Sequence, residues 1–353
     1  MLFRSVVGAG QITSPHLQAP ATAASGPGEF RSYSSGIEAS THHGSGGGAP
    51  HPPKPGPGPL LLVRIQSQQI PQHLETGSGF AVEGAEIRSV WTLPTLFADS
   101  VQRLDWWRIG PPGLQYLTKP APVLVKLNSG LFLALTALPD FIAALVTEDR
   151  GLQAVSYRDP HDAQNTGDLA AQAIARLESG ALRADAIDDL AVDLRQHKHA
   201  DPVLGVISAY LYDSIGATED IRRMAYFYVS RGQSIPYDIA LLAQLGGRRN
   251  ASGLLEIDVP GVPPRAPRTE RETQFDWTCQ ATYTVTGTVA GLWPWMRQGW
   301  AFLDDPTDQE LGLVDPNIVA LAAQLTTARF TTFNRQGGAA LAQYLGLVPF
   351  PIH

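Results

Sequence analysis

The spacing of hydrophobic positions changes character along the chain. From Leu60 onward they fall in short or alternating runs: Leu60 to Ile65, Ile87 to Leu93, Leu104 to Ile109, Val123 to Leu127, Leu131 to Leu135, Phe141 to Val146 and Leu152 to Tyr157. Turn residues separate them at Gly77 to Gly79, Gly110 to Gly113, Asn128 to Gly130 and Arg150 to Gly151. Runs of this length, bounded in this way, predict antiparallel strands and a β-sandwich or barrel-like domain over residues 60–160. Pro139 and Asp140 are also a good helix start, so Phe141 to Val146 stays open to a helical reading.

Over residues 161–246 the period shifts to three and four, which predicts a compact helical bundle. Asp201 and Pro202 form an N-cap and a first-turn proline. Val203, Val206, Ile207, Tyr210 and Leu211 then share one helix face. Thr218 is the expected cap of the next helix, whose stripe is Ile221, Met224, Ala225 and Tyr228. Gly216 and Gly232 stand where helices stop. Leu169 to Leu177, Ala184 to Lys198 and Ser234 to Leu242 supply further helices. Residues 247–272 are rich in Pro, Gly and Arg and predict a linker. Residues 273–353 form a C-terminal α/β segment that packs on the bundle, with a strand pair over Phe275 to Val289 and helices from Asp315 to Leu325 and Gly337 to Leu345. The expected class is α+β, sandwich or barrel first and bundle second.

Composition trims the functional options. Residues 1–59 are dominated by Gly, Pro, Ser, Ala and His and predict a disordered tail, because little apolar surface is present to offset the entropy of ordering. The net charge of -7 argues against a nucleic-acid partner, which calls for clustered Lys and Arg. Arg265, Arg268 and Arg271 alternate with Glu270 and Glu272 and read as a solvated linker. No apolar run reaches the length of a transmembrane helix, so no membrane partner is expected. A single cysteine, Cys279, excludes an intrachain disulfide and makes the cytoplasm the expected compartment.

Candidate chemistry is sparse. Thr76 to Val82 is similar to the Gly-Ser-Gly-Phe strand that precedes the catalytic histidine of trypsin-like serine peptidases, but no His lies between His73 and His161 and no Gly-Asp-Ser-Gly turn is present, so the segment reads as a glycine-rich bend. Cys279 lies in an apolar alternation and is expected to be a buried hydrophobe; its alternative is the nucleophile of a cysteine-dependent hydrolase. His197, His199 and Asp201 have a metal-like spacing, yet residues two apart on a helix diverge, and a helix-end role fits better. Asp188 with Asp189, and Asp304 with Asp305, read as exposed helix starts. No catalytic, cofactor-binding or metal-binding residue is therefore assigned, and no cofactor is expected. Trp106 and Trp107 face opposite sides of a strand. Trp293, Trp295 and Trp300 are dense enough to anchor a protein partner, with Pro294 keeping the three rings from all facing inward.

Asp201 to Asp213, Ile221 to Tyr228 and Ile235 to Ala240 together resemble helical accessory regions of bacterial caspase-like and trypsin-like peptidase proteins. The resemblance implies a companion module. The expected function is a non-catalytic adaptor or regulatory protein that binds a protein partner, accessory to a peptidase. A cysteine hydrolase centred on Cys279 and a structural subunit of a larger assembly, hence an oligomer, are the alternatives.

Overall fold

The computed structural model describes residues 77–351, apart from 102, 114–115, 161–165, 180–183, 271, 273–280 and 304–311. The expected tail over 1–59, the run Leu60 to Ile65 and most of the Phe275 side of the expected strand pair lie outside the described residues. The apolar runs inside them become β1 (Ser78–Glu83), β2 (Ile87–Thr92), β3 (Phe97–Val101), β4 (Arg103–Gly110), β5 (Ala121–Leu127), β6 (Phe132–Ala137), β7 (Ile142–Glu148) and β8 (Gly151–Arg158). Of the run Phe141 to Val146, all but Phe141 is strand and none is helix: β7 is flanked by β1 on one side and β8 on the other. The expected glycine-rich bend is instead the start of β1, where Gly79 pairs with both Arg108 and Ile142.

These strands form two open sheets and no closed barrel. The first has the order β3-β4-β1-β7-β8, with β1 and β7 parallel. The second is antiparallel, in the order β13-β6-β5-β2-β14, and draws β13 (Thr332–Phe333) and β14 (Val348–Pro351) from the far end of the chain. Trp106 and Trp107 do point to opposite faces, and both are covered: Trp107 stacks on Phe80 at 6.3 Å, and the Arg158 guanidinium lies 5.8 Å from the Trp106 ring.

The helices are α1 (Gly167–Ser179), α2 (Ala184–Gln196), α3 (Pro202–Ser214), α4 (Thr218–Ser230) and α5 (Tyr237–Leu242). They do not stand as a separate bundle at one end. Every residue of α3 from Pro202 to Tyr212 is buried, and a helix apolar all round must be covered on every side. Its cover is α2, α4 and α5 together with β8. A third sheet, in the order β10-β11-β12-β9, runs through the same region: β9 (Ile235–Pro236), β10 (Gly247–Arg249), β11 (Leu255–Val259) and β12 (Val285–Ala290). The described residues thus form a mixed α/β fold with three sheets, which corrects the α+β arrangement of sandwich followed by bundle. The alternation Leu255, Ile257, Val259 was a strand signal inside the expected linker, masked by its Pro and Arg content. Thr218 is not a cap either: Ala217 holds that position, without a side-chain bond. Asp315 does cap a helix, but α6 (Pro316–Val319) is one turn long and gives way to a 3-10 turn at Ala322–Gln324. The closing helix is α7 (Arg335–Tyr344), where Gly338 lets its backbone approach the Phe132 ring so closely that a Cβ would collide with it.

Two buried carboxylates fasten helices to their surroundings. Asp201 caps α3 by accepting from Val203 N at 3.0 Å, and it also accepts from Tyr157 N at 3.0 Å and from the Ser156 hydroxyl in β8. Asp238, in the first turn of α5, accepts from the Tyr210 hydroxyl at 2.7 Å, Trp295 N at 2.6 Å and Met296 N at 3.2 Å. Burial pushes the Asp201 carboxyl up to about 7 and that of Asp238 up to about 6, against the downward pull of these donors.

The expected solvated linker is in fact stitched to the helices by ions. Glu272 is fully buried and accepts from Arg195 at 2.8 Å, from both terminal nitrogens of Arg265 at 2.9 and 2.8 Å, and from Arg268 N at 2.5 Å. Arg265 also reaches Asp220 at 2.6 Å, and Arg268 reaches Asp188 at 2.8 Å. Burial tends to raise the Glu272 pKa, but the Arg265 and Arg268 hydrogen bonds outweigh it and hold the carboxyl below its ordinary value. Asp188 is thereby a partner of Arg268 and not a free helix-start acid.

Removing Glu272 strands guanidinium groups in a region shielded from water, so Glu272→Ala is expected to cost about 3 to 5 kcal/mol in urea unfolding; a cost below about 1 kcal/mol would place the cluster at an effectively solvated surface. A carboxyl raised in the folded state binds its proton more tightly there than in the unfolded chain, so its contribution to stability is full at low pH and lost as pH rises through the folded value. Relative to Asp238→Asn, the parent protein is therefore expected to gain on the order of 2 kcal/mol between about pH 7 and about pH 4. A difference that stays flat with pH would mean that Asp238 is charged and solvated. The variant comparison is needed because His199, depressed to about 3 chiefly by burial, pushes stability the opposite way over part of this range.

Candidate binding cleft

A cleft of about 620 Å³ is lined by the loops that follow β4, β6, β8 and α4 and by the first residue of α3. One wall is the turn joining β6 to β7, where Pro139 and Asp140 reverse the chain and Phe141 N donates to Leu138 O at 3.3 Å. Asp140 adopts a left-handed φ of 60°. A non-glycine residue there carries strain that Asp tolerates better than most. The opposite wall is the loop after α4, where Gly232 has a φ of 71° and Gln233 N returns to Tyr228 O at 2.9 Å. The floor contains Pro202 at the start of α3, so Asp201, which fixes that start, also fixes the floor.

The lining is polar and of mixed sign. Asp140 and Asp159 bring carboxylates, Arg231 brings a guanidinium, and Gln233 and Ser234 add neutral hydrogen-bonding groups. Tyr116 stands on the rim with 56% of its surface exposed. Gln233 is held in place by His199: its Oε1 accepts from the Nδ1–H at 2.6 Å, and its amide nitrogen donates to His199 O at 3.0 Å. Burial keeps His199 neutral, so it acts as a wedge behind the wall and not as a charged group facing a helix dipole. Lys198 does serve the helix end: its ammonium donates to Arg195 O at 3.3 Å, and burial lowers it to about 7. Asp201 is a cap, as its spacing suggested, and no cluster of metal-ligating side chains occurs among the described residues. No described helix is long and apolar enough to cross a membrane.

The three tryptophans expected to anchor a partner are elsewhere and are inside. Trp293, Trp295 and Trp300 are 0%, 6% and 5% exposed, which corrects the expectation of an accessible ring. Pro294 does not keep them from turning inward. It keeps the segment out of helix, so successive rings diverge into different parts of the interior. Trp295 lies against Tyr157 at 5.3 Å with its indole nitrogen on Ala290 O at 3.1 Å. Trp300, carried by a 3-10 helix over Arg297–Phe302, meets Phe333 edge-on at 5.6 Å and donates to Thr331 Oγ1 at 2.8 Å. Cys279, Asp304 and Asp305 lie outside the described residues.

The residues that do line the cleft were hard to single out. Pro139 and Asp140 between two apolar runs were a turn signal, but nothing local shows that Arg231, ninety-one positions later, faces them. Comparison with family models, curated proteins and solved structures found no match.

Trp300→Ala is expected to lower unfolding free energy by about 3 to 5 kcal/mol, the cost of emptying a packed aromatic site. A loss under about 1 kcal/mol in chemical denaturation would return this ring to the surface and revive its role as an anchor.

Proposed function

We propose that the protein is a non-catalytic adaptor whose polar cleft receives a segment of a protein partner. The observation that carries this reading is the strained Asp140 at the mouth of a cleft whose rim exposes Tyr116. Unfavourable backbone geometry concentrates where a fixed side-chain direction serves a ligand, and exposed Tyr and Arg are the side chains that most often anchor protein interfaces. The mixed signs of Asp140, Asp159 and Arg231 suit the alternating donors and acceptors of an extended peptide, and the volume falls in the range of preformed binding clefts. The resemblance of Asp201 to Ala240 to accessory regions of peptidase proteins supports testing a peptidase as the first partner.

A photo-crosslinking residue placed at position 116 of the full chain, expressed in its native host, captures the partner at this cleft; the same residue at Glu219 is the control. With the captured partner purified, Tyr116→Ala and Asp140→Gly are each expected to weaken its binding by about tenfold or more. Asp140→Gly should leave thermal stability equal or slightly higher, since glycine relieves the left-handed strain. Binding by both variants within about twofold of the parent would rule out the cleft as the partner site.

A further inference from the structure

On another part of the same unit lies a smaller cleft of about 370 Å³, and its chemistry is different. Its walls are aliphatic and aromatic: Leu93 after β2, Leu254 before β11, Leu292 after β12, and Tyr344 and Leu345 at the end of α7. Tyr344 is 45% exposed, one of the few large apolar rings on the surface. Into these walls is set one cation, Arg249 of β10.

Arg249 is fixed in direction without being used up. One terminal nitrogen donates to Asp315 Oδ2 at 2.8 Å, and the other makes only a long contact of 3.5 Å to Gly253 O. Asp315 is itself held by Asn317 N at 3.0 Å, by the Tyr344 hydroxyl at 2.7 Å and by Asn317 Nδ2 at 3.3 Å. The same carboxylate thus positions both the guanidinium and the ring that forms a wall. A guanidinium carries five N–H donors; these contacts occupy a minority of them, and the side chain is 42% exposed.

We propose that this cleft binds an aliphatic monocarboxylate, with the carboxylate on the outer face of the Arg249 guanidinium and the chain between Leu254, Leu292 and Leu345. The guanidinium donors that Asp315 leaves unused select an acceptor head, and their paired geometry matches a carboxylate. The leucine walls select an aliphatic tail, and a ten-carbon acid is long enough to run from Arg249 along them. The site is independent of the partner cleft and of the adaptor reading.

The probe is decanoate added to the full chain, with 1-decanol as the uncharged comparison. Saturable one-to-one binding is expected by calorimetry, with methyl signals of Leu254, Leu292 and Leu345 shifting in carbon-detected NMR and those of Leu138 in the partner cleft unmoved. Decanol should bind about tenfold more weakly or worse, the least a lost charged hydrogen bond should cost. Leu292→Trp fills the cleft and is expected to abolish binding; Arg249→Lys should weaken decanoate while leaving decanol unchanged. Absence of saturable binding up to about 1 mM, shifts confined to other residues, or equal affinity for decanol and decanoate would each overturn the assignment. Because the parent-protein NMR map does not depend on any variant, an unfolded variant does not rescue or sink it.

Discussion

The fold depends on burying α3, and that burial depends on the Asp201 carboxylate at its start. A helix with apolar side chains on every face needs neighbours on every face, yet its first backbone N–H groups must still find acceptors. Asp201 answers both needs at one point. It caps the helix through Val203 N and ties it to β8 through Tyr157 N and Ser156. Burying a carboxylate is costly, which is why its proton affinity rises, and three donors on two oxygens are what make the burial tolerable.

The same solution recurs where other helices meet other layers. Asp238 connects α5 to the Tyr210 hydroxyl of α3 and to the backbone of the tryptophan segment. Glu272 gathers Arg195 of α2 and Arg265 of the Pro-rich stretch, so that stretch follows the helices instead of leaving them. Tyr228 of α4 donates to Lys198 O at 2.9 Å, across a contact made possible by the missing side chain of Gly205. Interior acids and hydroxyls therefore set how the helical layer sits on its sheets, while the apolar residues supply the driving force. The larger cleft inherits its shape from this arrangement: Pro202 and Gln233, which both line it, are held by Asp201 and His199.

What could be read from the residues alone was local. Short or alternating apolar runs located β2 and β4 to β8, and Asp201 with Pro202 located the start of α3, because strand segments and helix caps are written in adjacent residues. What could not be read was which layers would meet. Nothing near Val348 shows that it pairs with Thr92, and this pairing, with Phe333 on Phe132, is what turns an expected N-terminal domain into one sheet built from both ends of the chain. The Arg and Glu of 265–272 looked solvated because charge alternation usually is, and only α2 and α4 supply the partners that tie Arg265 and Arg268 down and bury Glu272. The tryptophans were placed outside on their density and on Pro294, yet all three rings find cover in the interior.

The Asp201 junction should belong to the most stable part of the molecule. Amide hydrogen exchange of Tyr157 and Val203, the two N–H groups held by that carboxylate, tests it most directly. Both are expected to exchange only through global unfolding, with protection matching the free energy from chemical denaturation. Exchange through openings several kcal/mol cheaper than global unfolding would contradict it, and would mean that α3 detaches from β8 while the sheets remain intact.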